Sequence, residues 1–130
     1  MRRERESAQA SVHAVSILYD TILIALRTYQ TEEGSVPFDE WLADLRDVQA
    51  RARIRARLAR VQTGNFGDCK PVVDGVQELR IDHGPGYRVY LSRQGPVVVL
   101  LLCGSDKSRQ RGGIKLALRY LNDWRERGEP

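Results

Sequence analysis

The sequence predicts an α+β domain with two N-terminal helices and a C-terminal helix packed on a small antiparallel sheet. Three observations predict it. Residues 64–110 read as β-strands joined by the turns His83-Gly84-Pro85-Gly86 and Gln94-Gly95. Before them, from Pro37 to Val61, apolar residues recur at helical spacing. After them the same spacing returns from Ile114 to Trp124. A chain of 130 residues can bury roughly two-thirds of its unfolded surface as one domain.

Residues 1–20 begin with Arg2, Arg3, Glu4, Arg5 and Glu6, then turn small and apolar. Asp20 interrupts the apolar run, which stays short of the roughly 18 residues that suggest a membrane span. We read this stretch as a helical or frayed extension, with His13 a bystander, and place the domain proper at residues 21–130. Ile22, Leu23, Ile24, Leu26 and Tyr29 then predict a strand, ended by the polar turn Thr31-Glu32-Glu33-Gly34-Ser35. A single apolar helix over residues 14–26 is the alternative.

Pro37 stands where the first turn of a helix tolerates proline. Phe38, Trp41, Leu42 and Leu45 follow at helical spacing, and Asp39 and Glu40 lie near the positive end of the dipole. Asp47 is the expected N-cap of a second helix, whose buried stripe is Ala50, Ile54, Leu58 and Val61 and whose stop is Gly64. Arg51, Arg53, Arg55, Arg57 and Arg60 flank that stripe. They form a solvated face, a footprint for RNA phosphates, or a docking face for an acidic partner. Arg53 and Arg57 are the candidates for contact with substrate.

Three strands are then predicted, at residues 76–82, 87–92 and 97–102. Alternation places Arg80 opposite Leu79 and Ile81, and Arg88 with Tyr90 opposite Tyr87, Val89 and Leu91. The third strand, Val97-Val98-Val99-Leu100-Leu101-Leu102, is apolar throughout, which predicts cover on both faces and a central place in the sheet. Arg111-Gly112-Gly113 then predicts a last helix that begins late or wobbles, because glycine costs a helix interior roughly 1 kcal/mol relative to alanine.

The net charge of +4 favours a polyanionic partner. Cys69 and Cys103, the two cysteines, have no metal-binding spacing, so neither a disulfide scaffold nor a zinc site is expected, and a reducing, cytoplasmic setting is. No cofactor is expected either: phosphate-cradling glycine loops, dinucleotide fingerprints and serine-hydrolase elbows are absent from the sequence. What stands out is a set of cations at strand ends. Lys70 precedes the first strand of the hairpin, Arg80 lies within it, Arg88 begins the next, and Lys107 follows the third. Converging on one face, they suit phosphate chemistry without a metal, with guanidinium matched to phosphate geometry and Tyr87 and Tyr90 beside them to stack a base. The plainer alternative pairs Arg80 and Arg88 with Glu78 or Asp82 as surface cations. His83 reads as a turn residue ahead of a catalytic base.

These residues carry a resemblance. Pro37-Phe38 with Trp41-Leu42, Gly64-Asn65-Phe66-Gly67-Asp68-Cys69-Lys70-Pro71, Glu78-Leu79-Arg80, Gly84-Pro85-Gly86-Tyr87-Arg88-Val89-Tyr90 and Cys103-Gly104-Ser105-Asp106-Lys107-Ser108 resemble, in that order, the RelE/ParE superfamily of bacterial toxins. The closest group is its phage-derived HigB-like "addiction module killer" proteins. The resemblance implies a fold like that of microbial ribonucleases and the toxin half of a type II toxin–antitoxin pair. It implies a metal-independent endoribonuclease that cuts mRNA on the ribosome, restrained by a helix-turn-helix antitoxin encoded beside it. By the same resemblance Arg88 and Lys107 are catalytic, Arg80 lies on the strand that carries basic residues, and Lys70 matches only the subgroup. A gyrase poison on the same fold, or an inactive antitoxin-binding remnant, are the alternative readings.

Overall fold

The computed structural model describes residues 23–128, so the expected extension at residues 1–20, with His13, lies outside the described residues. The elements run β1 (Ala25–Thr28), α1 (Pro37–Asp44), α2 (Val48–Gln62), β2 (Cys69–Val73), β3 (Val76–Ile81), β4 (Tyr87–Arg93), β5 (Val98–Asp106), a 3₁₀ turn (Lys107–Arg109) and α3 (Gln110–Glu126). One sheet in the order β1-β5-β4-β3-β2 separates two apolar layers. Among the described residues the architecture is α+β, with three helices and five strands.

Local chemistry explains the helices as read. Pro37 opens α1, with Phe38 and Leu42 buried. The Asp47 carboxylate caps α2 by accepting from the backbone N–H groups of Gln49 at 2.9 Å and Ala50 at 3.1 Å. Ala50, Ile54, Leu58 and Val61 are its buried stripe, and Gly64 ends it at a φ of 92°.

The sheet corrects the expectation twice. It is mixed: β1 pairs in parallel with β5, Ala25 against Val98 through Thr28 against Leu101, and the other pairings are antiparallel. It also has a strand, β2, ahead of the three expected at residues 76–102. Lys70 lies inside β2, which pairs with β3 and forms the edge of the sheet. Pro71 breaks the alternation of that segment but is tolerated at an edge, where no N–H is needed on the open side. The signal for β2 is the dipeptide Asp74-Gly75, whose φ values of 37° and 93° make a tight hairpin turn between Val73 and Val76.

β5 is covered on both faces, as expected, and so is β4. Leu79, Ile81, Tyr87, Val89, Leu91, Val99 and Leu101 pack with α1 and α2. Val76, Tyr90, Leu100, Leu102 and Cys103 pack with Ala117 and Leu121 of α3. Leu102 and Cys103, consecutive residues, share that second layer because the β4–β5 register shifts between Tyr90 and Leu91. The extra residue resets the alternation, so Gly104 faces Trp41 on the α1 side and Ser105 faces α3.

Two glycines serve close packing. A Cβ on Gly104 would lie 2.3 Å from the Trp41 ring. One on Gly113 would lie 2.7 Å from the Tyr90 ring and 2.9 Å from the Ser105 hydroxyl. The expectation of a late helix start is thereby overturned. α3 starts at Gln110 and includes both glycines, because Gly113 is what lets its first turn lie against Tyr90. Gly112 is exposed with nothing near its missing Cβ.

The pair of glycines therefore separates propensity from packing. Gly112→Ala is expected to stabilise the protein by about 0.5–1 kcal/mol. Gly113→Ala is expected to destabilise it by about 1–3 kcal/mol through overpacking. Urea denaturation of both variants checks the opposite signs.

Candidate functional site

Strand register puts the basic residues in rows on the α3 side of the sheet. Arg80 of β3 lies opposite Arg88 of β4, which lies opposite Ser105 of β5. The adjacent row is Lys70, Glu78, Tyr90 and Cys103. Two guanidinium groups directly across a strand pair repel. Glu78, two residues from Arg80 and on the same face, supplies the counter-charge. It is fully buried, and a buried carboxylate needs partners. Its Oε1 accepts from Arg80 Nε at 3.0 Å and lies 3.6 Å from Arg88 Nε. Its Oε2 accepts from Gln110 Nε2, at the start of α3, at 2.7 Å. The Arg88 side chain is only 11% exposed, and its Nε has no hydrogen-bond partner. One carboxylate thus faces two guanidinium groups.

The outer side of this cluster opens into a cleft of about 330 Å³ lined by Asp68, Arg80, Asp82, the turn 84–86, Arg88 and Lys107. Lys107 reaches it because its backbone N–H donates to the Gly86 carbonyl at 2.9 Å, tying the end of β5 to the β3–β4 turn. Asp106, just before it, caps the 3₁₀ turn. The Ser108 hydroxyl, 2.5 Å from its Oδ1, is the main cause that holds its carboxyl below the usual carboxylate range. The turn is braced from the other end. His83 Nε2 lies 3.0 Å from Asp47 Oδ2, and the Ala50 amide, followed by His83, holds the Asp47 carboxyl low.

The structure brings together Arg80, Arg88 and Lys107 and separates the other candidates from them. Lys70 is exposed on the edge strand, off the cleft lining. Tyr87 lies on the opposite face, in the α1–α2 layer, with its ring edge-on to Trp41 at 6.4 Å. Tyr90 is on the right face but fully buried under α3, its hydroxyl 3.0 Å from Ser105 Oγ and donating to the Gln110 carbonyl at 3.3 Å. Neither ring is presented to stack a base, because β4, the strand that carries both, is covered on both faces. Arg57 is half-buried and tied down. It donates to the carbonyls of Arg80 and, at 2.9 Å, of Phe66, and burial lowers its pKa. It shares a second groove of about 330 Å³ with Arg53 and Arg60, and Ile81 and Asp82 line both the groove and the cleft.

Reasoning from sequence missed Asp68, Gln110 and the central place of Glu78. Glu78 was legible from its period-two spacing to Arg80. Gln110 carried no signal, since only the return of α3 over the sheet brings it there. Among the described residues no group of three His, Cys, Asp or Glu side chains could hold a metal ion, and no helix is long and apolar enough to cross a membrane.

An uncharacterized protein of Haemophilus influenzae is 57% identical over 83 residues, which is 64% of this chain and 84% of that protein. This chain belongs to the same family. No family model matches it.

Cys103 and Tyr90, side by side under α3, are both pushed up to about 12, by burial first. Each holds its proton more tightly folded than unfolded. Their contribution is complete below the ordinary values of 9.0 and 10.0 and is lost as pH rises through about 12. The denaturation midpoint should therefore fall steeply between pH 9 and 12, and less steeply in Cys103→Ala. At neutral pH a thiol reagent should label Cys69 slowly and Cys103 only after denaturation.

Proposed function

We propose that this protein is the toxin of a type II toxin–antitoxin pair, a HigB-like member of the RelE/ParE superfamily that cuts mRNA on the ribosome. The observation that carries the reading is the convergence of Arg80, Arg88 and Lys107 on one cleft. The three helices and five-stranded sheet of the described residues are compatible with the ribonuclease-like fold that the motif resemblance implies. The proposed partners are mRNA in the ribosome and a helix-turn-helix antitoxin encoded next to this chain.

In this reading a phosphodiester lies between the two guanidinium groups and the Lys107 ammonium. The adjacent ribose 2′-oxygen attacks phosphorus and loses its proton to a carboxylate of the cleft wall, Asp68 or Asp82. The guanidinium groups and Lys107 stabilise the charge on the phosphorane. The bond from phosphorus to the 5′-oxygen breaks, and that oxygen takes a proton from Lys107. The products are a 2′,3′-cyclic phosphate and a free 5′-hydroxyl. Arg53, Arg57 and Arg60 continue the positive surface past Asp82 and suit the next phosphates of a single strand.

Lys107 is the cleanest probe, because it is exposed and its removal leaves the Glu78 cluster whole. Lys107→Ala is expected to keep the parent's stability and to lose about 10²–10³ in cleavage rate. Arg88→Ala is expected to lose cleavage and stability together, since it strips a partner from a buried carboxylate. Primer extension on mRNA after induction reads the activity. Growth arrest without new 5′ ends, accompanied by DNA damage, would replace this reading with that of a gyrase poison.

A further inference from the structure

Glu78 is the one charged group of the cluster that the chemistry above leaves unused. It cannot meet RNA, because it is fully buried. Its placement is nevertheless demanding. Oε1 faces both guanidinium groups, at 3.0 Å from Arg80 Nε and 3.6 Å from Arg88 Nε. Oε2 accepts from Gln110 at 2.7 Å, so the carboxylate is held at both oxygens and cannot turn about its axis. Without it, two like charges in direct cross-strand register would splay apart. With it, the cluster remains one negative charge short, and Arg88 Nε remains without a hydrogen-bond partner. A phosphodiester, with one negative charge per phosphate, makes up that deficit.

We propose that Glu78 is a positioning residue that holds the Arg80 and Arg88 guanidinium groups side by side at one phosphate, with Gln110 locking its carboxylate to the first turn of α3. The proposal rests on the ribonuclease reading for its catalytic consequence and on charge balance alone for its binding consequence, which keeps the two separable. Removing the charge of Glu78 frees a second full positive charge in the cleft while losing the geometry. RNA should then be held as tightly or more tightly, and cut more slowly.

The test uses the full chain and two measurements. Binding of a short single-stranded oligonucleotide with 2′-O-methyl riboses, which cannot be cut, is followed against salt concentration. Cleavage of ribosome-bound mRNA gives kcat and KM. Glu78→Gln is expected to steepen the salt dependence of log K by up to about 0.7. It is also expected to lower kcat about a hundredfold without raising KM. A folded Glu78→Gln protein with the parent's kcat, or with the parent's salt slope, overturns the proposal.

If Glu78→Gln does not fold, the exchange Glu78→Gln with Gln110→Glu takes its place. It restores the charge count and the hydrogen bond between the two positions, with its direction reversed. A merely structural role is satisfied by that exchange, so a return to the parent's kcat overturns the proposal, as does failure of the exchange protein to fold. A kcat still about a hundredfold down supports it. A parent that binds the oligonucleotide but leaves mRNA uncut sinks the ribonuclease reading only, and the salt slope then decides on Glu78. A parent that does not bind the oligonucleotide overturns both.

Discussion

The buried carboxylate of Glu78 is the constraint on which the basic face depends. Strand register sets Arg80 and Arg88 opposite one another, an arrangement that repulsion alone would not keep. A fully buried carboxylate is equally unfavourable by itself. Each problem answers the other, and Gln110 of α3 satisfies the remaining oxygen. The result is a part-buried cationic pair that is structurally tied on the inside and open to the cleft on the outside. A surface ion pair would be screened and weak; here the shared carboxylate is fully buried, so solvent screens the pair less.

The rest of the fold serves that placement. α3 must approach the sheet closely for Gln110 to reach Glu78, and Gly113 permits the approach by leaving room for Tyr90 and Ser105. On the opposite face Gly104 leaves room for Trp41, so the strand between the two helices is pinned from both sides. The β3–β4 turn is fixed at one end by Lys107 N–H on the Gly86 carbonyl and braced at the other by His83 against Asp47, the N-cap of α2. The cleft wall therefore inherits its rigidity from a helix cap and a sheet end, both of which are local structures of strong propensity.

The tyrosines show how a motif can mislead. Tyr87 and Tyr90 flank Arg88, and aromatic residues beside cations suggest base stacking. Both are core residues, one in each layer. Their proximity to the arginine in sequence reflects the packing of a doubly covered strand. Arg57 shows the reverse, a residue in an apparently solvated arginine run that ties α2 to the carbonyls of Arg80 and Phe66.

Much of the fold was legible in the sequence because its signals are local. The proline at the start of α1, the Asp47 cap, the Gly64 stop, the helical stripes and the β3–β4 turn each act within a few residues. The face of Arg80 and Arg88 followed from alternation over a single strand. Three things could be decided only by the tertiary structure. The parallel pairing of β1 with β5 depends on where the chain returns after two helices and three strands. The bulge that turns Ser105 toward α3 depends on register between strands. The meeting of Glu78 with Gln110 depends on helix packing across 32 residues of chain. Patterning within one element reports which way a side chain faces; which partner it meets there is a property of the assembled layers.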